Sequence, residues 1–457
     1  MTEKTSKKKL LKQALHLIDN WLDYQTYFKE IPGVAVGIFI EDEIVFKKEY
    51  GYANLEMKIK LTDQHLFRIA SHSKLFTATA IMKLYHEEKL SIDDKISKYL
   101  PWFTSEKDEN LKNIRIRHLL THSSGMTRDG KTAHWRTYEF PGIEEIMAQV
   151  TEGVSYFETS ELLKYSNFGY TLLGQIIETI SGQTYHDYVQ KEILEPLGME
   201  NTVTDVNESN LARHATGYKV KFPRKEREQL EHIPARIMHS ATGLSSTTED
   251  LIKFYQAHIF GNDILFPDYI KREMQRIQFK SKMANWGLGF SITSLPNIDI
   301  AGHGGGYPGF ITRSGVIQDQ KIIVVVLTNA INGPALTLFL GINKIFDKLA
   351  KEEEKLTPKL EEKILDMKDI IGFYENDWGI SLFSQIGSKL VVIGPSDDNP
   401  AEFIQIYKHK EGHKFIAPKE PPFASPGQEI EFIEGPNKEK IFVDSHGGKN
   451  KRFEFSY

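Results

Sequence analysis

Ser71 and Lys74 stand three residues apart in Arg68-Ile69-Ala70-Ser71-His72-Ser73-Lys74. On a helix that spacing puts two side chains on one face, about one turn apart. A serine so placed can be a nucleophile, and the lysine the base that activates it, provided the amine is deprotonated. A helix N-terminus would help twice. Its positive dipole end opposes protonation of the lysine, and a free backbone N–H at Ser71 can bind an oxyanion. The plainer role is a helix cap, which serine also fills well. The tetrad alone does not decide, because Ser6-Lys7-Lys8-Lys9 repeats the spacing in a basic N-terminal run.

Two further groups could complete a site. Tyr165-Ser166-Asn167 offers a phenol and an amide just ahead of an amphipathic stretch, although Tyr52-Ala53-Asn54 and Tyr374-Glu375-Asn376 fit the same pattern. Gly302-His303-Gly304-Gly305-Gly306 precedes an apolar hairpin, where glycines let a substrate backbone come close to a strand edge. His446-Gly447-Gly448 is its look-alike near the C-terminus.

The elements that must position these groups are legible in outline. Residues 34–53 read as a β-hairpin turning at Glu41-Asp42-Glu43, and residues 310–329 as a second, turning at Gln318-Asp319-Gln320. From Ser73 to about Glu88 apolar residues recur at helical spacing (Leu75, Phe76, Ala80, Ile81, Leu84, Tyr85). Between Ser91 and about Thr216 helices and loops alternate. Two hairpins bracketing a helical middle imply one sheet assembled from both ends of a domain. Gly333-Pro334 then opens a last helix. A charged, proline-bearing stretch follows, and beyond it short period-two runs (KLVVIG, FIQIYK, EIEFIE, KIFVDS) imply a small all-β barrel or sandwich.

Composition narrows the class. The 457 residues are 40% hydrophobic and 11% aromatic, enough for a buried core and more than one domain. A net charge of -5 gives no field that favours nucleic acid. The absence of cysteine excludes disulfides, thiolate metal sites and cysteine nucleophiles. The N-terminus lacks the apolar core of a signal peptide and no run is long enough to span a bilayer, so a cytoplasmic protein without membrane association is expected.

Taken together, Ser71-x-x-Lys74, Tyr165-x-Asn167 and His303-x-Gly305 resemble the three motifs of the serine β-lactamase-like hydrolases related to penicillin-binding proteins. That group includes class C β-lactamases, D-aminopeptidases, family VIII esterases and S12-type peptidases. RHLLTHSSGM, YSNFGYTLLGQIIETISG, GLSSTTEDLIKF and GHGGGYPGF match its pattern too, and the resemblance covers roughly residues 30 to 345. It implies an α+β fold, an antiparallel sheet flanked by helices with a helical region beside it. It also implies roles. Ser71 forms an acyl-enzyme, Lys74 is the general base, and the Tyr165 hydroxyl shuttles a proton to the leaving group. Asn167 orients the substrate amide and Lys74, His303 and Gly305 line the substrate strand, and the N–H groups of Ser71 and Gly306 form the oxyanion hole. No cofactor and no metal are implied.

Two departures refine this. His303 stands where a lysine is usual, and a mostly neutral imidazole grips a carboxylate less firmly. His72 resembles a peptidase branch with a C-terminal lipocalin-like barrel, some of whose members oligomerise through it and act on peptides containing D-amino acids. The expected organisation is a hydrolase domain over residues 1–355, a linker over 356–371 and a lipocalin-like barrel over 372–457. The expected activity is hydrolysis of small amide or peptide substrates. The alternatives are a carboxylesterase with weak β-lactamase activity and a catalytically silent binding or assembly protein.

Other signals are weaker. Gly304 to Gly309 satisfies G-x-G-x-x-G but leads into a strand, not a helix. His118 and His122 have metal-like spacing without the glutamate of H-E-x-x-H. No G-x-S-x-G elbow occurs. Phe373, Tyr374, Trp378, Phe403 and Tyr407 read as barrel core.

Overall fold

A computed structural model describes residues 3–282, 284–356, 365–419, 426–435, 438, 440–444 and 448–455. By packing, the chain forms two compact units, Pro32–Ala335 on the one hand and Met1–Ile31 with Leu336–Tyr457 on the other.

The first unit is built on an antiparallel sheet of nine strands. These are β1 (Gly33–Ile40), β2 (Glu43–Asn54), β3 (Ile59–Lys60), β4 (Phe279–Lys280), β5 (Asn285–Trp286), β6 (Ser291–Leu295), β7 (Ile298–Tyr307), β8 (Phe310–Ile317) and β9 (Ile322–Thr328). Their order is β3-β2-β1-β9-β8-β7-β6-β5-β4. The two ends of the unit therefore meet at the centre, where Val34 faces Thr328 and Ile40 faces Ile322. Every residue of β1 and β9 is buried, which explains why both are apolar without alternation.

The glycine-rich segment is itself strand. Gly302–Gly306 lies inside β7, with Gly305 opposite Thr312 and Gly306 opposite Ile311, whereas the sequence places it ahead of the sheet. Its glycines have low strand propensity, and pairing with β8 overrides that, joined by β6 at Gly302 alone. The β6–β7 hairpin, Ser291 to Tyr307, is the other element that periodicity does not show.

Against the sheet lies a mainly helical region, with two short strand pairs, Phe67–Arg68 with Ser245–Ser246 and Gly217–Tyr218 with Gln229–Leu230. Helix Ser73–His86 is buried nearly all round, as a central helix must be. Helix Asn167–Ser181 begins where the Ser166 hydroxyl accepts from the Gly169 N–H at 2.8 Å and ends at Gly182, whose φ of +67° closes the last turn. Leu75, Phe76, Leu172, Leu173 and Phe254 belong to the core that these helices share.

In the second unit eight antiparallel strands close into a barrel, the lipocalin-like element expected from the sequence: β10 (Gly372–Asn376), β11 (Gly379–Ile386), β12 (Lys389–Ile393), β13 (Gln405–Glu411), β14 (Lys414–Ile416), β15 (Glu429–Glu434), β16 (Lys440–Asp444) and β17 (Lys449–Phe453). Closure is made by Phe373 against Phe453. Phe383, Phe432 and Phe442 fill the interior with ring centroids 5.2 to 5.7 Å apart. Phe373, Tyr374 and Tyr407 are buried as expected, and Phe403 is half-buried. Trp378 is not core: it sits in the β10–β11 turn and is 96% exposed. Helix Leu15–Phe28 belongs to this unit, with Tyr24 stacked on Phe373 and the Gln25 amide donating to the Pro395 carbonyl at 2.7 Å. Half of the expected linker, residues 357–364, lies outside the described residues, as do His446 and Gly447. No helix of the described residues is long and apolar enough to cross a membrane.

Candidate active site

Ser71 occupies a tight bend. A 3₁₀ turn, Ala70–His72, runs directly into helix Ser73–His86, and Ala70 holds φ at +51°, a conformation that costs a non-glycine residue about 1–3 kcal/mol. The helix carries no side-chain cap bond, so capping is not what the Ser71 hydroxyl does. Its neighbours hold the bend instead. The Ser73 hydroxyl donates to the Ala70 carbonyl at 2.6 Å and accepts from the Leu244 N–H at 2.9 Å. His72 is fully buried between the Ile69 carbonyl, 3.0 Å from Nδ1, and the Ser314 hydroxyl on β8, 2.7 Å from Nε2. A carbonyl only accepts, so Nδ1 carries the proton and Nε2 accepts from Ser314.

Lys74 is completely buried beneath Ser71. Its Nζ lies 3.3 Å from Ser71 Oγ, 2.7 Å from Asn167 Oδ1 and 2.6 Å from the Ala241 carbonyl oxygen. Loss of hydration lowers its pKa well below that of a free lysine, with the Asp129 charge opposing and the Arg128 charge adding to the shift. A neutral amine has two N–H bonds and one lone pair. The two carbonyl-type oxygens take the N–H bonds, which leaves the lone pair for the Ser71 hydroxyl.

Tyr165 covers the same space. Its phenol faces the Ser71 hydroxyl, and Lys74 Nζ lies 4.8 Å from its ring centre. Burial raises the phenol above its ordinary value, so Tyr165 stays protonated while Lys74 gives up its proton readily. The two shifts favour lysine as base and tyrosine as proton relay.

Ser166 explains why Tyr165 and Asn167 flank one residue. As the helix cap it fixes the turn, donating to the Thr127 carbonyl at 2.7 Å and accepting from Gly169. Asn167 thus reaches Lys74 from the first turn of its helix. The look-alikes Tyr52-Ala53-Asn54 and Tyr374-Glu375-Asn376 lie on β2 and β10, away from any such cap.

The structure brings His303, Gly305 and Gly306 to the same place. The buried His303 donates Nδ1–H to the Gly304 carbonyl at 2.5 Å, and Nε2 has no hydrogen-bond partner among the described residues. Its ring lies between His72, Trp286 and Tyr165, with centroids 5.3 to 6.4 Å away. Burial and the nearby positive groups lower its pKa well below the usual 6.5. His303 therefore presents a neutral acceptor and not a cation, and it does not titrate near neutrality. Gly305 is the point of closest approach between β7 and the Ser71 bend, and Gly306 is exposed beside it.

Three contributors lie outside the three motifs. His122 accepts the Ser166 N–H at 3.1 Å and lays its ring 4.2 Å from that of Tyr165, whereas His118 accepts from the Arg115 N–H. The spacing that suggested metal thus serves two different backbone turns. Asp129 accepts from Asn167 Nδ2 at 2.5 Å and pairs with Arg128 at 3.2 Å. Trp286 closes one side, its ring 4.7 Å from His122.

Fold and site geometry define a class, the β-lactamase and penicillin-binding-protein scaffold. The chain belongs to the beta-lactamase family, whose model matches residues 20–337. It is 29% identical over 308 residues to penicillin-binding protein 4* of Bacillus subtilis strain 168, covering 63% of this chain and 66% of that protein. The chain thus spans less than two thirds of the length of the curated relatives it matches. The octameric penicillin-binding protein homologue from Pyrococcus abyssi has the same fold, with a TM-score of 0.65 at 24% identity over 96% of this chain and 100% of that one. D-amino acid amidase from Ochrobactrum anthropi SV3, complexed with D-phenylalanine, gives 0.64 at 23% identity over 75% and 99%.

Proposed function

We propose that the protein is a serine hydrolase that cleaves small amide or peptide substrates through an acyl-enzyme, with substrates containing D-amino acids as the preferred class. The observation that carries this is the buried Lys74 amine, placed within reach of the Ser71 hydroxyl and held by two acceptors. Ser71 Oγ attacks the acyl carbon while its proton passes to Lys74 Nζ. The tetrahedral oxyanion is held by the N–H groups of Ser71 and Gly306. Tyr165 passes its proton to the departing amine as the C–N bond breaks and takes back the one held by Lys74, and water, giving its proton to Lys74, then cleaves the Ser71 ester to release the acid. Asn167 and the β7 edge at Gly305 align the substrate backbone, with the neutral His303 buried beside them on β7.

An amide substrate is supported by the family and by a fold shared with D-amino acid amidase, and the D-configuration rests on that likeness. A neutral His303 provides no cation for a free carboxylate, which argues against efficient β-lactam hydrolysis. Assembly into a homo-oligomer is part of the reading, supported by the fold shared with an octameric homologue.

The test is intact-protein mass after incubation with a fluorophosphonate and, separately, with a penicillin, on wild type and Ser71→Ala. A stoichiometric adduct absent from the variant is expected. No adduct with either probe would overturn the reading. Matched D- and L-aminoacyl amides and esters then separate the amidase from the esterase by their kcat/KM ratios.

A further inference from the structure

Lys74 keeps its lone pair on Ser71 only while Asn167 turns its oxygen, and not its NH₂, toward the amine. Nothing in an asparagine fixes that choice: the two ends of the amide are alike in shape and opposite in hydrogen-bond character. Here the far end of the amide meets Asp129 Oδ1, 2.5 Å from Asn167 Nδ2. An ionised carboxylate accepts only, so the NH₂ must face it and the oxygen must face Lys74, 2.7 Å away. Arg128 holds the carboxylate through Nε, 3.2 Å from Asp129 Oδ2, and extends over the Tyr165 ring at 5.7 Å.

We infer that Asp129, backed by Arg128, is a positioning residue for acylation, one that locks the Asn167 amide and sets the charge that Lys74 sees. The inference rests on Lys74 being the base for Ser71. With the amide reversed, an N–H would point at Lys74. One Lys74 N–H would then lack its acceptor, and the lone pair would turn from Ser71 to the amide. The charge effect has a definite sign. Asp129 favours the ammonium and Arg128 disfavours it. The other titratable groups facing Lys74 are Tyr165, Tyr170, His122, His72 and His303. The three imidazoles are held neutral and both phenols protonated, so none of these five changes charge near pH 7.

The experiment is the pH dependence of the second-order rate of fluorophosphonate labelling of the full chain, read by intact mass. Wild-type labelling that vanishes in Ser71→Ala secures Ser71 as the nucleophile, and its loss in Lys74→Met secures the base reading separately. Asp129→Asn keeps an acceptor for Asn167 but removes the charge. Its plateau rate should stay within about threefold of wild type while the rising limb moves to lower pH by about half a unit or more. Asp129→Ala removes the acceptor, and its plateau should fall by about tenfold to 100-fold. Arg128→Gln should move the limb the other way, to higher pH, by less because the arginine is largely exposed, and added salt should shrink that shift. Melting curves establish that each variant is folded. A plateau unchanged in Asp129→Ala, or limbs for Asp129→Asn and Arg128→Gln that coincide or move together, would overturn the inference while leaving Ser71 and Lys74 intact.

Discussion

A side-chain carbon on Gly305 would stand 2.2 Å from the carbonyl oxygen of Ile69 and 2.4 Å from Thr312 Oγ1. That contact presses the sheet against the bend that carries Ser71, two residues beyond Ile69. Gly305→Ala should therefore displace β7 or the bend. The expected outcome is a lower Tm and a labelling rate at Ser71 reduced by up to about 100-fold, the cost of a misplacement near 1 Å. At Gly306 the nearest atom to a new Cβ is Ile311 Cδ1 at 3.5 Å, so Gly306→Ala should leave Tm unchanged. Equal Tm losses in the two variants would contradict the close approach.

Lys74→Met should abolish labelling, a loss of about 100-fold or more, without lowering stability at pH 7. The stability sign follows from linkage. Folding depresses the Lys74 pKa, so between the folded and unfolded values the unfolded chain carries a proton that the folded chain lacks. Wild-type stability then rises with pH across that window, and methionine has no such dependence. Thermal melts from pH 7 to pH 10 should show wild type gaining on the variant. A constant gap would mean that the buried amine keeps its proton.

Acid should destabilise the Pro32–Ala335 unit through its buried histidines. His72 is lowered to about 3 and His258 to about 4, mainly by burial. Each is neutral when folded and protonated when unfolded between those values and 6.5. Each therefore contributes stability above 6.5 that is lost as pH falls toward the folded pKa, at about 1.4 kcal/mol per pH unit. His258→Gln should flatten the decline in stability between pH 6.5 and 4.5. An unchanged slope would show that His258 is not held neutral.

The barrel supplies a contrast between two aromatic residues. Phe432 is buried among Tyr374, Phe383, Phe415 and Phe442, and Phe432→Ala should cost the barrel about 3–5 kcal/mol. Trp378 projects from a turn, so Trp378→Ala should change stability by no more than about 0.5 kcal/mol. Denaturation followed by a probe within the barrel separates the two outcomes.

Residue type and spacing, joined to the family resemblance, marked Ser71, Lys74, Tyr165, Asn167 and His303 as candidates, and the fold brings these five together. Ser166 lies between Tyr165 and Asn167, and the helical offset sets Ser71 beside Lys74. The two bracketing hairpins and the alternating C-terminal runs likewise announce a shared sheet and a closed β-domain, since periodicity is a local property of the chain. Asp129, His122 and Trp286 carry no such mark, because what they do depends on partners 38 to 164 positions away that only folding brings near. The same reason hides the Gly302–Gly306 strand, which owes its conformation to pairing with β8, and the packing of helix Leu15–Phe28 with the barrel. It also decides the charge of His303. The sequence names an imidazole with an ordinary pKa near 6.5, and burial among His72, Trp286 and Tyr165 makes it a neutral acceptor. Composition and spacing thus determined which groups could react. The desolvation and hydrogen bonds that set their protonation and direction exist only in the folded chain.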